Sequence, residues 1–370
     1  MEPRTVGVEE ELLVVDLTDG TPQPLGQPVV ESAGRAGPQA SGQGGVEKEL
    51  KREQVELNSE PSTDLAAIGA DLTRLRRRLC DAATDHGLAL AALGTSPVPV
   101  EATPTRNLRY ERINSEYGLT TRELLVNGCH VHVSVTSRAE AVGVLDRIRP
   151  WLATISALTC NSPYWQGVDS GYASYRHRVW SRMPSAGPTE LFGDVAGYDR
   201  AIAQMVSCGA AMDDGMIYLD ARVSRDYPTV ELRVADVCTA VDHAVLVAGL
   251  GRGLVETAAR ELADGVAPAP VRVEVLRGAA WRAARTGVSG DLVDTLSAGT
   301  APAAELVERL VAHVEPALRH YGDLDTVWRT ARDVLDHGTG ADQQRDAYAR
   351  SGGDLVAVVR DTAARTTADR

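Results

Sequence analysis

The sequence is poor in the features that brace a fold or announce a cofactor. Its five cysteines, Cys80, Cys129, Cys160, Cys208 and Cys238, stand far apart with no CxxC pair. That spacing argues against a zinc knuckle or a disulfide framework and predicts reduced, partly buried thiols. No apolar run approaches the about 20 residues a membrane-spanning helix needs. The N-terminal MEPRTVGVEEELLVVD passes straight into a strand pattern with no apolar signal core, so the chain reads as cytoplasmic, with no membrane partner. Neither GxxxxGK[ST] nor a GxGxxG after a strand is present, which speaks against a P-loop or dinucleotide site. Positive charge is outnumbered: 38 Lys and Arg face 51 Asp and Glu, a net charge of −13. A general nucleic-acid binder would show a basic surface instead. An anionic substrate such as ATP would need local cations here, and bound metal is one source of them.

What the chain does have is four short stretches that read as strands with two unlike faces: GVEEELLVVD (Gly7 to Asp16), HVHVSV (His130 to Val135), IYLDARV (Ile217 to Val223) and VELRV (Val230 to Val234). Side chains alternate across a strand. Glu9 and Glu11 therefore share a face, as do His130 and His132, then Tyr218, Asp220 and Arg222, then Glu231 and Arg233. The opposite faces are valine, leucine and isoleucine. A sheet with one oily side and one side of carboxylates, imidazoles and guanidiniums has the makings of a catalytic floor. Glu10 points the other way, with Val6, Val8, Leu12 and Val14. A lone charge there would be costly, so it is expected to find an ion partner or a sheet edge.

With 370 residues, 44% apolar and 24% charged, the chain is an ordinary globular protein, long enough for one elaborated domain or two. The Gly-, Ala-, Pro- and Gln-rich stretch from Thr21 to about Gly45 has no period and reads as a loop. After Glu49–Ser59 (ELKREQVELNS), Ser62 or Thr63 is placed to cap a helix carrying Leu65, Ile68, Leu72, Leu75 and Leu79 at helical spacing. The arginines Arg74, Arg76, Arg77 and Arg78 around that stripe read as a solvated face. Residues 139–160 form a helix interrupted at Pro150. A long irregular segment, Asn161 to Pro188, follows, rich in Trp, Tyr and Arg, and loops of that length are often functional. From Asp242 the pattern is almost wholly helical: Pro302 opens one helix, Leu306, Leu310 and Val314 repeat along it, and Gly322 stops it. With no repeats and no linker, residues 1–370 read as a single catalytic domain, about 1–253 sheet and active-site core and about 254–370 helical and packed on it.

Five segments in order, GVEEELLVVD, ELNS, NGCHVHVSV, NSPYWQGVDSGYASYRHRVWSRMPSAGP and YPTVELRVADV, resemble the type 2 glutamate–cysteine ligase family, the YbdK-like carboxylate–amine ligases. The resemblance runs from about Thr5 to Gly253, with a similar helical remainder. GxExE or HxH alone is weak; the five together are specific. The resemblance implies an α+β fold, a mostly antiparallel sheet forming one wall of a funnel-shaped active site, packed with helices in a glutamine-synthetase-like architecture. It further implies ATP and magnesium, with manganese acceptable, and small-molecule substrates, and it allows a homodimer.

The chemistry fits the residues. Joining an acid to an amine requires activating the acid, and phosphoryl transfer between two anions is mostly charge neutralisation and positioning. Magnesium prefers oxygen ligands, so Glu9, Glu11, Glu56 and Glu231 are assigned as metal ligands, with Glu49 a further candidate and His130 a metal or phosphate ligand. Glu53 and Glu60 compete with Glu49 and Glu56, and spacing does not settle the second ligand of that segment. His132 divides evenly between supporting His130 and sitting half-buried and satisfied. Arg222 and Arg233 are expected to hold phosphate or substrate carboxylate through their planar forks. Arg176 and Arg178 are candidates for an α-carboxylate or phosphate, and Trp165, Tyr172 and Tyr175 for the pocket walls. Two other classes fit the same residues less fully: a metal-dependent hydrolase, which HxH with scattered carboxylates also suits, and a non-catalytic nucleotide or amino-acid binder.

Overall fold

The computed structural model describes residues 3–35, 44–105 and 107–367. At its centre is one sheet of strands β1 (Val6–Val15), β2 (Gly45–Lys48), β3 (Gln54–Asn58), β4 (Ala89–Ala91), β5 (Gly128–Ser134), β6 (Ala221–Val223) and β7 (Thr229–Asp236). The order is β2-β3-β1-β5-β7-β6, with β4 also on β1, and every pair in it is antiparallel. The alternation read in the sequence is what the sheet uses. Val6, Val8, Leu12 and Val14 join Val131, Val133, Val230, Leu232 and Val234 in the main hydrophobic core. The other face turns to the cavity described below.

Helices cover the oily face. Helix α2 (Leu65–Thr84) buries Leu65, Ile68, Leu72, Leu75 and Leu79, the stripe its spacing predicts. Its cap is Asp64, whose carboxylate accepts the amide proton of Ala66; Ser62 in turn accepts from the Asp64 amide. The long helix Val241–Ala263 lies in the same core, buried along most of its length. The helix Ala303–Tyr321 follows, its Leu310 and Val314 in contact with that core. Gly322 ends it at φ +76°, a backbone setting that favours glycine. The break at Pro150 is a short 3-10 turn, Arg149–Trp151, between helices Arg138–Ile148 and Leu152–Leu158. Among the described residues no helix is long and apolar enough to cross a membrane.

Five readings need correction. The stretch after Thr21 contains a helix, α1 (Gly26–Arg35), anchored by buried Val29 and Ala33; residues 36–43 of it lie outside the described residues. The strand expected from Ile217 begins only at Ala221, because a 3-10 turn at Asp214–Met216 precedes it. The segment Asn161 to Pro188 holds a hairpin, Tyr164–Trp165 with Val168–Asp169, and a helix, Tyr175–Trp180. Helices α3 (Leu108–Tyr117) and Val195–Ser207 went unread, the latter despite Val195, Tyr198, Ile202 and Val206 at helical spacing. Arg76 is not solvated: it is 2% exposed and grips the fully buried Glu10 through Nε at 2.8 Å and Nη2 at 2.7 Å. The remaining donors of Arg76 go to the carbonyls of Cys238 and Thr239 at 2.6 and 2.8 Å. Glu10 thus has the ion partner its position demands.

Removing one member of a buried pair leaves the other charge uncompensated. Arg76→Met is expected to lower unfolding free energy by about 3–5 kcal/mol, and the double variant Glu10→Leu/Arg76→Met by much less. Urea denaturation of the three proteins checks this; equal losses for the single and double variants would contradict it.

Candidate active site

Strand register assembles the polar face. Glu9 pairs with Asn58 on one side and His130 on the other, Glu11 with Glu56, His132 with Glu231, and Glu231 with Arg222. Residues paired across an antiparallel ladder project to the same side, so distant segments deliver their ligands to one surface. The β5–β7 ladder slips between Cys129 and Val131. On the other edge of β7, Arg233 donates its amide to the Asp220 carbonyl at 2.9 Å, extending the pairing with β6 beyond Ala221 and Leu232.

Two groups of candidate metal donors result. Glu9, His132 and Glu231 form one, and Glu11, Glu49 and Glu56 the other, each with donor atoms within 4.8 Å of one another. Burial penalises the charge on Glu9, yet contacts with His130 (3.4 Å) and His132 (3.0 Å) hold its carboxyl well below the usual range. Burial likewise opposes ionisation of Glu231, but Arg233 and Arg222 pull it down to about 2. Arg222 grips it through Nε at 2.6 Å, and Arg233 also donates to it. In the second group burial outweighs the relief that Arg176 and Arg233 give Glu11 and that Arg233 gives Glu49. Glu11 is pushed up to about 8 by burial and by Glu49, and Glu56 well above its normal value by burial and by Glu49, Glu9 and Glu11. A bound cation would relieve three carboxylates crowded in this way.

Further observations fit magnesium. Among the described residues, the buried polar atoms without a hydrogen-bond partner include His132 Nε2 and Asn58 Oδ1. The His132 ring is oriented by Thr229, 3.0 Å from its Nδ1. Its Nε2 lies 3.0 Å from Glu9, and against the effect of burial the charges of Glu9 and Glu231 raise the pKa of the ring. The donor set is mostly carboxylate oxygen, as magnesium prefers.

Two cavities meet at this floor and share Glu9 and Glu56. The smaller, about 250 Å³, is bounded by Glu11, Glu49, His130, Arg222 and Arg233, and roofed by Tyr110, Trp180 and Tyr218. The larger, about 340 Å³, has His132 and Asn58 at the floor and Ser59, Tyr227 and Pro228 around it.

The structure gathers Glu9, Glu11, Glu49, Glu56, His130, Glu231, Arg222 and Arg233 on one surface. It is His132, and not His130, that joins a three-donor group. His130 is 3% exposed and is pushed down to about 4 by burial and by Arg233, which keeps it neutral. Glu53 faces away and accepts the Thr103 amide; Glu60 is in neither donor group. Arg176 is buried 3.8 Å from Asp236 and, like Arg178, lines neither cavity. Trp165, Tyr172 and Tyr175 pack on one another, with ring centres 5.7 and 5.9 Å apart. They too line neither cavity, so the long segment contributes Trp180 in their place. Sequence reading missed Arg109, Tyr110 and Gly215, which lie on a helix and a turn whose approach to the floor no local pattern signals.

Comparison with known proteins identifies the family and the fold. The model of glutamate-cysteine ligase family 2 matches residues 5–361. A Frankia alni protein provisionally named glutamate–cysteine ligase 2-2 is 51% identical, over 97% of this chain and 97% of its own length. A Streptomyces avermitilis protein provisionally named glutamate–cysteine ligase 2-1 is 49% identical, over 94% of this chain and 96% of its own. Among solved structures, glutamate–cysteine ligase from Francisella tularensis in complex with AMP superposes with a TM-score of 0.70 at 13% identity, covering 99% of this chain and 89% of that one. The α+β fold is therefore shared with that enzyme.

The crowded carboxyls make stability depend on pH and metal together. Glu11 has an ordinary value of 4.5 and is raised to about 8 when folded, so between these values the folded state binds the extra proton. Its stabilising contribution is complete below about 4.5 and is lost as pH rises through about 8. The metal-free protein is expected to melt at falling temperature from pH 5 to pH 8, and magnesium to raise Tm more at pH 8 than at pH 5. Calorimetry with and without magnesium checks this; a pH-independent metal effect would contradict it.

Proposed function

The chain belongs to glutamate-cysteine ligase family 2, a family of ATP-dependent, amide-forming ligases, and we propose that its reaction joins glutamate to cysteine as γ-glutamylcysteine. The observation that carries this reading is the pair of three-donor groups on one sheet face, where two cavities share Glu9 and Glu56. In the proposed sequence the acid's carboxylate attacks the γ-phosphorus of ATP and ADP leaves. The amine nitrogen then attacks the acyl carbon, loses a proton, and phosphate departs as the amide forms. Two compartments meeting at one floor suit a reaction in which a nucleotide and an amino acid approach from opposite sides.

The larger cavity is proposed for the nucleotide, with Tyr227 and Pro228 offering an apolar face and Ser59 and Thr229 hydroxyls. The smaller cavity, with its arginines, is proposed for the amino acids. Glu9, His132 and Glu231, with Glu11, Glu49 and Glu56, are the residues that would hold magnesium, whose contribution when bound is to neutralise phosphate charge. Arg222 and Arg233 hold Glu231 ionised and keep its oxygens fixed; Arg233 keeps one buried nitrogen, Nε, without a partner. Trp180 and Tyr218, whose rings are 4.7 Å apart, shield the floor from water. The sheet and the C-terminal helices share one core, which supports residues 1–370 acting as a single catalytic unit.

Phosphate release from ATP, measured with magnesium and with single amino acids or pairs, tests the reading. The expected result is dependence on divalent metal and on a carboxylate substrate, with amide product only when an amine is added. Steady amide hydrolysis in the absence of ATP would favour a hydrolase instead. Glu9→Gln and Glu11→Gln are expected to lower kcat by about 100-fold or more, as is Arg233→Lys, because lysine cannot reproduce the planar fork. Glu10→Gln should leave kcat close to wild type and act on stability. Similar losses at Glu9, Glu10 and Glu11 would overturn the assignment of the floor.

A further inference from the structure

Three arginines line the smaller cavity, and they are not equivalent. Arg222 and Arg233 are both committed to Glu231 on the floor. Arg109, on the first turn of α3 at the rim, is the cation among the described lining residues that has no floor carboxylate as its partner. Its guanidinium is instead held by Asp213, through Nη2 at 2.8 Å and Nε at 3.3 Å. Asp213 lines neither cavity, and both side chains of the pair are 40% exposed. An ion pair this exposed is weak and easily exchanged.

The surroundings make exchange feasible. Gly215 sits against the pair: a Cβ there would lie 3.0 Å from Asp213 Oδ1 and 3.2 Å from Arg109 Nη2. Its missing side chain keeps the guanidinium reachable from the cavity. The same position would be 3.4 Å from Nη1 of Arg225, whose charge also favours the ionised Asp213. Asp213 released from Arg109 thus keeps a second cation beside it. Tyr110 and Tyr218 line the same cavity as Arg109 and the floor residues Glu49, Glu56 and Arg233. A ligand reacting at the floor and reaching to the rim ends at Arg109.

We propose that Arg109 is a specificity-determining residue that seats a non-reacting carboxylate of a substrate, and that Asp213 occupies this seat until the substrate displaces it. This rests on the ligase reading and adds to it a requirement on substrate class. At least one substrate carries a second carboxylate, remote from the bond being formed. That carboxylate is either the α-carboxylate of the acid or the carboxylate of the amine, and a planar guanidinium takes either bidentately.

The test compares wild type, Arg109→Met and Asp213→Asn with glutamate against 4-aminobutyrate, and cysteine against cysteamine; each second compound lacks only the carboxylate in question. Wild type is expected to prefer at least one of the amino acids over its decarboxylated partner. Arg109→Met should raise KM for that amino acid by about 10- to 100-fold, leave KM for ATP and for the decarboxylated compound unchanged, and so abolish the preference. The amino acid affected identifies the source of the carboxylate. Asp213→Asn should shift the same KM the opposite way, down by about 2- to 5-fold, because the competing anion is gone. Calorimetric titration of both amino acids, with magnesium and ADP present, gives the same comparison without turnover. If no pair of substrates releases phosphate, the ligase reading fails while the titration still decides the role of Arg109. Unchanged amino-acid affinity in Arg109→Met, or equal weakening in Arg109→Met and Asp213→Asn, would make the pair a scaffold contact and overturn the proposal.

Discussion

The pairing of Glu10 with Arg76 is the interaction on which the rest of the molecule depends. It lies at the one point of the oily face where the sequence sets a charge, and it resolves that charge by tying β1 to α2. The same guanidinium holds the carbonyls of Cys238 and Thr239, where the chain leaves β7 and enters the long core helix. One arginine therefore fixes the first strand, the last strand of the sheet's path through the core and two helices relative to one another. A slip of β1 by one residue would break these bonds and send Glu9 and Glu11 into hydrocarbon. The polar face is thus held in register from behind.

On that face the organising difficulty is like charge. Glu9 and Glu231 are held ionised by histidines and arginines within the sheet, whereas for Glu11, Glu49 and Glu56 burial outweighs the help that Arg176 and Arg233 give. The asymmetry divides the floor into a half whose carboxylates are held ionised and a half whose carboxyls are pushed toward protonation. It also follows the division of space, because Glu9 and Glu56, one from each half, form the wall common to both cavities.

Much of this was legible in the sequence, and the limits follow from range. Period-two alternation is written into each strand, so β1, β5 and β7, the opposed directions of Glu9, Glu10 and Glu11, and the leucine stripe of α2 could be read from neighbours a few positions apart. The fate of Arg76 could not, since its partner lies 66 residues away; an arginine beside a leucine stripe looks the same whether solvated or buried. Distinguishing His132 from His130 required the ladder register, which places His132 opposite Glu231. Arg109 escaped notice because its partner, Asp213, lies 104 residues away. Helix α1 was hidden in a Gly- and Pro-rich stretch, where two buried residues one turn apart suffice to dock ten.

The unequal anchorage of floor and roof bears on how such a protein can change over generations. The floor is woven through a seven-stranded ladder whose reverse side is the main core, so an altered residue there is felt throughout. The roof helix α3 buries one isoleucine, Ile113, with Tyr110 and Tyr117 half-buried beside it and Leu108 79% exposed. Drift is therefore cheaper at the roof than at the floor. A lineage built on this plan can hand down its activation chemistry intact while exploring new molecules to join.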